Sequence, residues 1–286
     1  MFCKVCKLFF LMSKRIQDSM IFSAALCGIL SSICTICDFS LREFGIENVL
    51  SRMGIFFAVY VSVCVVTYLI LGALYKKSIN LQIRGMKVSI CYGDIFSCKE
   101  LKVIGCDTHF DSRIDDVVIA KKSLHGQLFL QHGVVKDIKK AIRKEAERLN
   151  LAKDDSDLYD FPLGTIIRYD NNSDNNGYLM LALTKQNKDF KACSDIVTFE
   201  STLMKMWHEI DRVYASTDVA IPLLGTGITR FSDIQKDRET LLRCMLCTLN
   251  NSGITLNANI KILIYGTSKD IALYEYKNIF ATVKGK

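Results

Sequence analysis

Three short segments hold the residue types that could do chemistry. In IPLLGTGITRF (221–231) an apolar run ends at Pro222, and Gly225 and Gly227 bracket Thr226 ahead of a helical pattern near Ser232. Glycines after a strand let the backbone turn tightly and aim N–H groups at an anion, and a helix N-terminus adds positive potential. The segment is not a P-loop, because no Lys-Ser/Thr follows, and Arg230 stands where the dinucleotide fingerprint needs its third glycine. A tight loop without a ligand is the competing reading. CYGDIF places Asp94 and Ile95 at the end of one apolar run, and KVIGCDTHFD places Asp107, His109 and Asp111 after another. Asp94 suits either a ligand contact or a helix cap. Asp107 and Asp111 suit either a site or a solvated loop. His125, in SLHG, is equally a ligand contact or a buried ring bonded to backbone. A Cys106–His109 nucleophilic pair is disfavoured, since the two are three residues apart on one loop. His208, beside Trp207, reads as structural.

The elements that position these residues follow from periodicity. Short β-rich runs occur at 86–91, 102–106, 117–120, 164–169, 178–183, 217–222 and 260–265, several of them continuously apolar, as in strands covered on both faces. Helical patterns lie between them. One has Val135, Ile138, Ala141, Ile142, Ala146 and Leu149 inward; another has Phe199, Leu203, Met206, Trp207, Ile210 and Val213; a third covers 233–250. The polar run 170–176 reads as the turn of a hairpin. Strands alternating with helices at this length predict one three-layer α/β domain with a mixed sheet over 86–286. Of three CxxC spacings (Cys3/Cys6, Cys34/Cys37 and Cys244/Cys247), none has a partner pair at zinc-ligand spacing, so all twelve cysteines are expected as free thiols and no metal is expected. Acylation of Cys3 or Cys6 is a lesser alternative.

Residues 1–85 are a different kind of chain. No charge occurs in the eighteen residues 20–37 or the twenty-two residues 54–75. At 1.5 Å per residue these reach about 27 and 33 Å, the thickness of a hydrocarbon core. The reading is a two-helix transmembrane hairpin. Of the net charge of +7, residues 1–19 carry +3, the loop 38–53 carries −1, residues 76–87 carry +4 and the remainder only +1. Positive flanks on both outer ends place both termini in the cytoplasm of a multi-pass protein of the cell membrane. The basic residues sit at headgroup level, so membrane lipid rather than nucleic acid is the partner they imply. Ala24, Gly28 and Ser32 line one face of the first span, and Gly54, Ala58 and Ser62 one face of the second. Such faces let helices approach closely, within a hairpin or between protomers, and a homo-oligomer is expected. The segment 39–53 between the spans reads as a short amphipathic helix.

The order strand-GDI, strand-VI and late strand-P-x-x-GTGI resembles the macro domain, over roughly residues 86–280. The resemblance implies an ADP-ribose-type ligand, with Asp94 on the adenine amino group, Ile95 beside it, and Gly225, Thr226, Gly227 and Ile228 around the diphosphate. It also brings Asp107, Ser123, His125 and Gly126 into the binding site. The usual Asn-Ala-Ala-Asn run is replaced by Gly105-Cys106-Asp107-Thr108, and the first glycine-rich loop by Ser123-Leu124-His125-Gly126-Gln127. The lost asparagines imply binding without hydrolysis, hence no catalytic residue and no cofactor. With two spans in front, the chain resembles the membrane-anchored macro-type effectors of the Thoeris antiphage system. That resemblance implies a TIR-domain partner that makes a signal from NAD, and a hairpin that assembles to disrupt the membrane. A membrane-tethered ADP-ribosyl hydrolase using Asp107, and a protein-binding scaffold, are the alternatives.

Overall fold

The computed structural model describes residues 14–36, 45, 48–74, 78–171, 176–186, 192–227, 230–231 and 237–266. They fall into two compact units, one N-terminal and one covering 78–266.

The N-terminal unit holds helices α1 (Lys14–Ile36) and α2 (Val49–Leu74). Each contains a stretch long and apolar enough to cross a membrane, Ile16–Ile36 and Val49–Gly72. The segment 37–47, apart from Gly45, lies outside the described residues, as do Cys3, Cys6 and Cys37. Residues 49–53, read from sequence as part of a separate amphipathic helix, are the first turn of α2. The helices meet through Ser19, Ser23 and Cys27 of α1, all buried, and Leu71 of α2. The Ser23 and Thr67 hydroxyls are hydrogen-bonded at 2.8 Å, and Thr67 also donates to the Val63 carbonyl at 2.8 Å. This is a small, hydroxyl-bearing face, and of the two uses left open for the faces read from the sequence, contact within the hairpin is not seen. Ala24, Gly28, Ser32, Gly54, Ala58 and Ser62 are all exposed on the outer sides of the hairpin, and a Cβ built on Gly28 or Gly54 meets nothing within 4 Å.

The second unit is built on a mixed sheet of nine strands among the described residues: β1 (Ser78–Ile83), β2 (Met86–Tyr92), β3 (Leu101–Asp107), β4 (Ile166–Asn171), β5 (Asn176–Gln186), β6 (Ala192–Ser194), β7 (Val219–Pro222), β8 (Arg230–Phe231) and β9 (Ile260–Ile264). Their order is β1-β2-β9-β7-β3-β5-β6-β8, with β4 on β5. β2, β9, β7, β3 and β5 run parallel, while β1 on β2 and β4 on β5 are antiparallel. β1 lies ahead of the boundary expected at residue 86 and forms the edge of the sheet. β4 and β5 make the hairpin expected around 170–176, whose tip, 172–175, lies outside the described residues.

Alternation along β3 and β5 decides what covers each face. Ile104, Cys106, Tyr178, Met180 and Ala182 share one core with Ile138, Ile142 and Ala146 of α4 (Val135–Arg148), which follows the short α3 (Leu124–Gln127) and a π turn at Leu128–His132. The intervening Val103, Leu179 and Leu181 are equally buried. Helices α5 (Ile196–Val213) and α6 (Arg238–Asn251) form the other layer, joined where the buried Trp207 Nε1 donates to Thr248 Oγ1 at 3.0 Å. The helix expected from 233 begins at Arg238, behind an Asp237 cap that accepts from the Thr240 N–H at 2.7 Å.

One expected strand is absent. VVIA at 117–120 is β-prone by composition, yet its first two amides are claimed by a side chain. Asp115 Oδ1 accepts from the Val117 and Val118 N–H groups at 2.9 and 2.8 Å, and Asp116 Oδ1 from Lys121 at 2.8 Å. Asx turns win over β propensity here.

Candidate functional site

Four parallel strands end at one place. Gly93 follows β2, Asp107 closes β3, Leu223 follows β7 and Tyr265 follows β9, and all four line a single cavity of about 690 Å³. The carboxyl edge of a parallel sheet is where α/β folds bind small molecules, and this volume suits a nucleotide-sized ligand.

Each wall is built locally. Asp94 leaves β2 and caps the 3₁₀ turn Ile95–Ser97, its Oδ1 accepting from the Phe96 N–H at 3.2 Å. The capping reading of this residue holds, and it also lines the cavity and is exposed there. Ile95 is buried beneath it. Ser123 caps α3: its Oγ accepts from the Gly126 N–H at 3.0 Å and donates to the Ala120 carbonyl at 2.7 Å. On the late loop Gly225 adopts φ +83°, a conformation suited to glycine. Thr226 Oγ1 donates to the Leu223 carbonyl at 2.7 Å, tightening that turn. Ile228 lies outside the described residues, as does Ser232.

Asp107 and His125 form the polar wall. Asp107 is 5% exposed; its Oδ1 accepts from the Asp111 N–H at 3.1 Å and lies 3.7 Å from His125 Nδ1. Its Oδ2 and His125 Nε2 are buried and have no hydrogen-bond partner among the described residues. Polar atoms left so are costly unless something binds them. Asp111, also buried, is turned away to pair with Arg113 at 2.5 Å and does not line the cavity. His109 does not line it either: its ring lies 3.7 Å from Asp107, 3.7 Å from Asp154 and 4.0 Å from Asp160.

The structure thus brings Asp94, Ile95, Asp107, Ser123, His125, Gly225, Thr226 and Gly227 to one cavity. Gly126 is not on its surface; it packs its Cα against the 120–121 backbone. Sequence reasoning missed Gly105, Lys122, Leu183, Gln186, Arg238 and Tyr265, which also line it. Tyr265 was readable in principle, as an aromatic directly after the last strand. Burial pushes the Cys106 thiol well above its ordinary value, which favours the protonated form. His208 is exposed on α5.

A family model described as Thoeris protein ThsA, Macro domain, matches residues 88–265. The chain belongs to this family. The Thoeris protein ThsA of Bacillus amyloliquefaciens (strain Y2) is 31% identical over 211 residues, covering 71% of each chain. Two solved structures of the Oceanobacillus iheyensis macrodomain, one with ADP and one with MES bound, are similar at TM-scores of 0.48 and 0.49. They share 12% and 11% identity, and each match covers 72% of this chain and 96% of theirs. The fold is a three-layer macro domain preceded by a two-helix hairpin.

Two histidines of this macro domain, His109 and His125, titrate in opposite senses. Asp107, with Asp160 and Asp154, raises His109 against the effect of its partial burial. Burial lowers His125 more than Asp107 and Asp111 raise it, so that ring is neutral at pH 7. A raised histidine stabilises the fold below its unfolded value of about 6.5 and loses that contribution as pH climbs through the folded value. A lowered one contributes above about 6.5 and loses it as pH falls. On acidification from pH 7 to 5, the melting temperature of His125→Asn should rise relative to wild type, and that of His109→Asn should fall. Parallel profiles for all three proteins would contradict the assignment.

Proposed function

We propose that the macro domain binds an ADP-ribose-type nucleotide made from NAD by a TIR-domain protein, and that occupancy drives the hairpin to assemble in the cell membrane and disrupt it, as antiphage defence. The observation that carries the nucleotide half is the single cavity where four strand ends, Asp94 and the Gly225-Thr226-Gly227 turn meet, in a chain of the ThsA family. Asp94 is placed to accept from an adenine amino group, and Tyr265, 77% exposed at the cavity rim, offers a face on which the base stacks. The turn takes the diphosphate, and Asp107, on the polar wall of the cavity, takes a hydroxyl of the far ribose. The hairpin half rests on two apolar helices and on their unused small-residue faces. A ligand that favours the assembled state shifts the equilibrium by its differential affinity. Positive charge on both outer flanks supports cytoplasmic termini in a bacterial cell membrane.

Calorimetry of the detergent-solubilised chain with ADP-ribose and its derivatives tests the first half. Asp94→Asn keeps the turn cap and removes the charge, so affinity should fall about tenfold. Absence of binding by every ADP-ribose derivative would reject the reading. The hydrolase alternative draws on the same Asp107 carboxylate as a water-positioning group. Release of ADP-ribose from a modified protein by wild type, and not by Asp107→Asn, would favour it over sensing.

A further inference from the structure

Two cations line the cavity without an ion pair among the described residues. Lys122 and Arg238 both line it, on separate segments: Lys122 precedes the Ser123 cap of α3, and Arg238 is the first residue of α6. The surrounding charges are committed elsewhere. Lys121 pairs with Asp116 at 3.3 Å and Arg113 with Asp111 at 2.5 Å. Beside Arg238, both carboxylate oxygens of Asp237 are taken by Thr240, each at 2.7 Å, and Glu239 pairs with Arg243 at 3.1 Å. Of the carboxylates on the cavity wall, Asp94 accepts from a backbone N–H and Asp107 is buried between two imidazoles. Neither the Lys122 nor the Arg238 side chain has a hydrogen bond or ion pair among the described residues. A half-buried guanidinium left facing a cavity calls for an anion, and its fork matches phosphate oxygens.

We infer that Arg238, with Lys122 as the weaker partner, grips the diphosphate of the bound nucleotide and sets the preference of the site for a nucleoside diphosphate over an uncharged nucleoside. This rests on the nucleotide reading above and adds a charge recognition that backbone N–H groups alone do not give. The guanidinium contributes paired N–H donors in a partly desolvated place. Lys122 is exposed and acts as a screened point charge.

The test is calorimetry of the full chain in detergent with two probes, ADP-ribose and inorganic pyrophosphate, together with the melting temperature of each variant. Arg238→Gln should weaken both probes about tenfold and Lys122→Gln two- to threefold, roughly, at unchanged melting temperature. Arg238→Lys should fall between, because it keeps the charge and loses the fork. Added salt should weaken ADP-ribose binding less in the double variant than in wild type. ADP-ribose affinity unchanged in Arg238→Gln would overturn the inference, and so would a loss confined to ADP-ribose with pyrophosphate unaffected. If wild type binds pyrophosphate, lost in Arg238→Gln, but no ADP-ribose derivative, the cation pair stands and the nucleotide reading falls. Binding of neither probe by wild type rejects both.

Discussion

Gly126→Ala is expected to lower the melting temperature of the macro domain by about 6–12 °C and to abolish ligand binding. A Cβ at Gly126 would sit 2.4 Å from the Ala120 carbonyl oxygen and 3.0 Å from both Cα and O of Lys121. These are backbone atoms, which cannot rotate aside as a side chain can. The 120–121 backbone must move, and overpacking of that kind costs about 3 kcal/mol, or 2–4 °C per kcal/mol in a domain this size. The shift would carry Ser123, which caps Gly126, and the neighbouring His125 off the cavity wall. Gly227→Ala is the control. Its Cβ meets nothing within 4 Å, so its melting temperature should stay within about 1 °C of wild type. Thermal melts of both detergent-solubilised variants decide the matter, and equal stability would refute the steric argument.

A second large effect is expected in the membrane. Gly28→Leu should leave nucleotide affinity within about twofold of wild type, because residue 28 and the macro domain belong to different units. It should also leave the hairpin intact, because that position faces open space and α1 meets α2 through Ser19, Ser23 and Cys27. If hairpins of neighbouring copies assemble as proposed, what it removes is the close approach that a glycine face allows between them. Cells carrying the variant should therefore fail to depolarise when the signal is supplied, whereas wild-type cells depolarise. Depolarisation equal to wild type would count against assembly through this face. Ser23→Val serves as the contrasting variant, since it breaks the Ser23–Thr67 hydrogen bond inside the hairpin.

The sheet was legible in the sequence wherever strands are buried on both faces. The runs at 86–91, 102–106, 178–183 and 260–265 are mostly apolar, and each proved to be a parallel or hairpin strand within three residues at either end. β1 was missed because SINLQI alternates on an exposed edge and adjoins a far stronger membrane signal. The run at 117–120 misled because its composition says strand, while Asp115 just before it holds its first two amides in turns. At the site, the Gly-Thr-Gly turn and Asp94 could be found because a turn and a cap have local signatures. Arg238 and Gln186 could not be placed, since what unites them is the convergence of β5 and α6 at one sheet edge, which no local pattern encodes. The hairpin contact was left open for a related reason. Both spans present small residues on more than one face, and spacing alone cannot say which face meets which.

The pairing of β3 with β5 carries one further consequence. Cys106 stands opposite Ala182, but Asp107 stands opposite Thr184, so Leu183 is an extra residue in the ladder at the cavity edge. Alternation along β3 points Cys106 into the α4-side core beneath the cavity and the Asp107 carboxylate toward His125, and the bulge sets where the end of β5 stands against them. Gly105 belongs to the same arrangement, since a Cβ there would come within 2.8 Å of Leu183 Cδ2. The site is therefore encoded partly by residue count. A deletion in β5 that conserved every lining side chain would still misplace Asp107, and relatives should vary freely in the loops around the cavity while keeping the length of this strand pair.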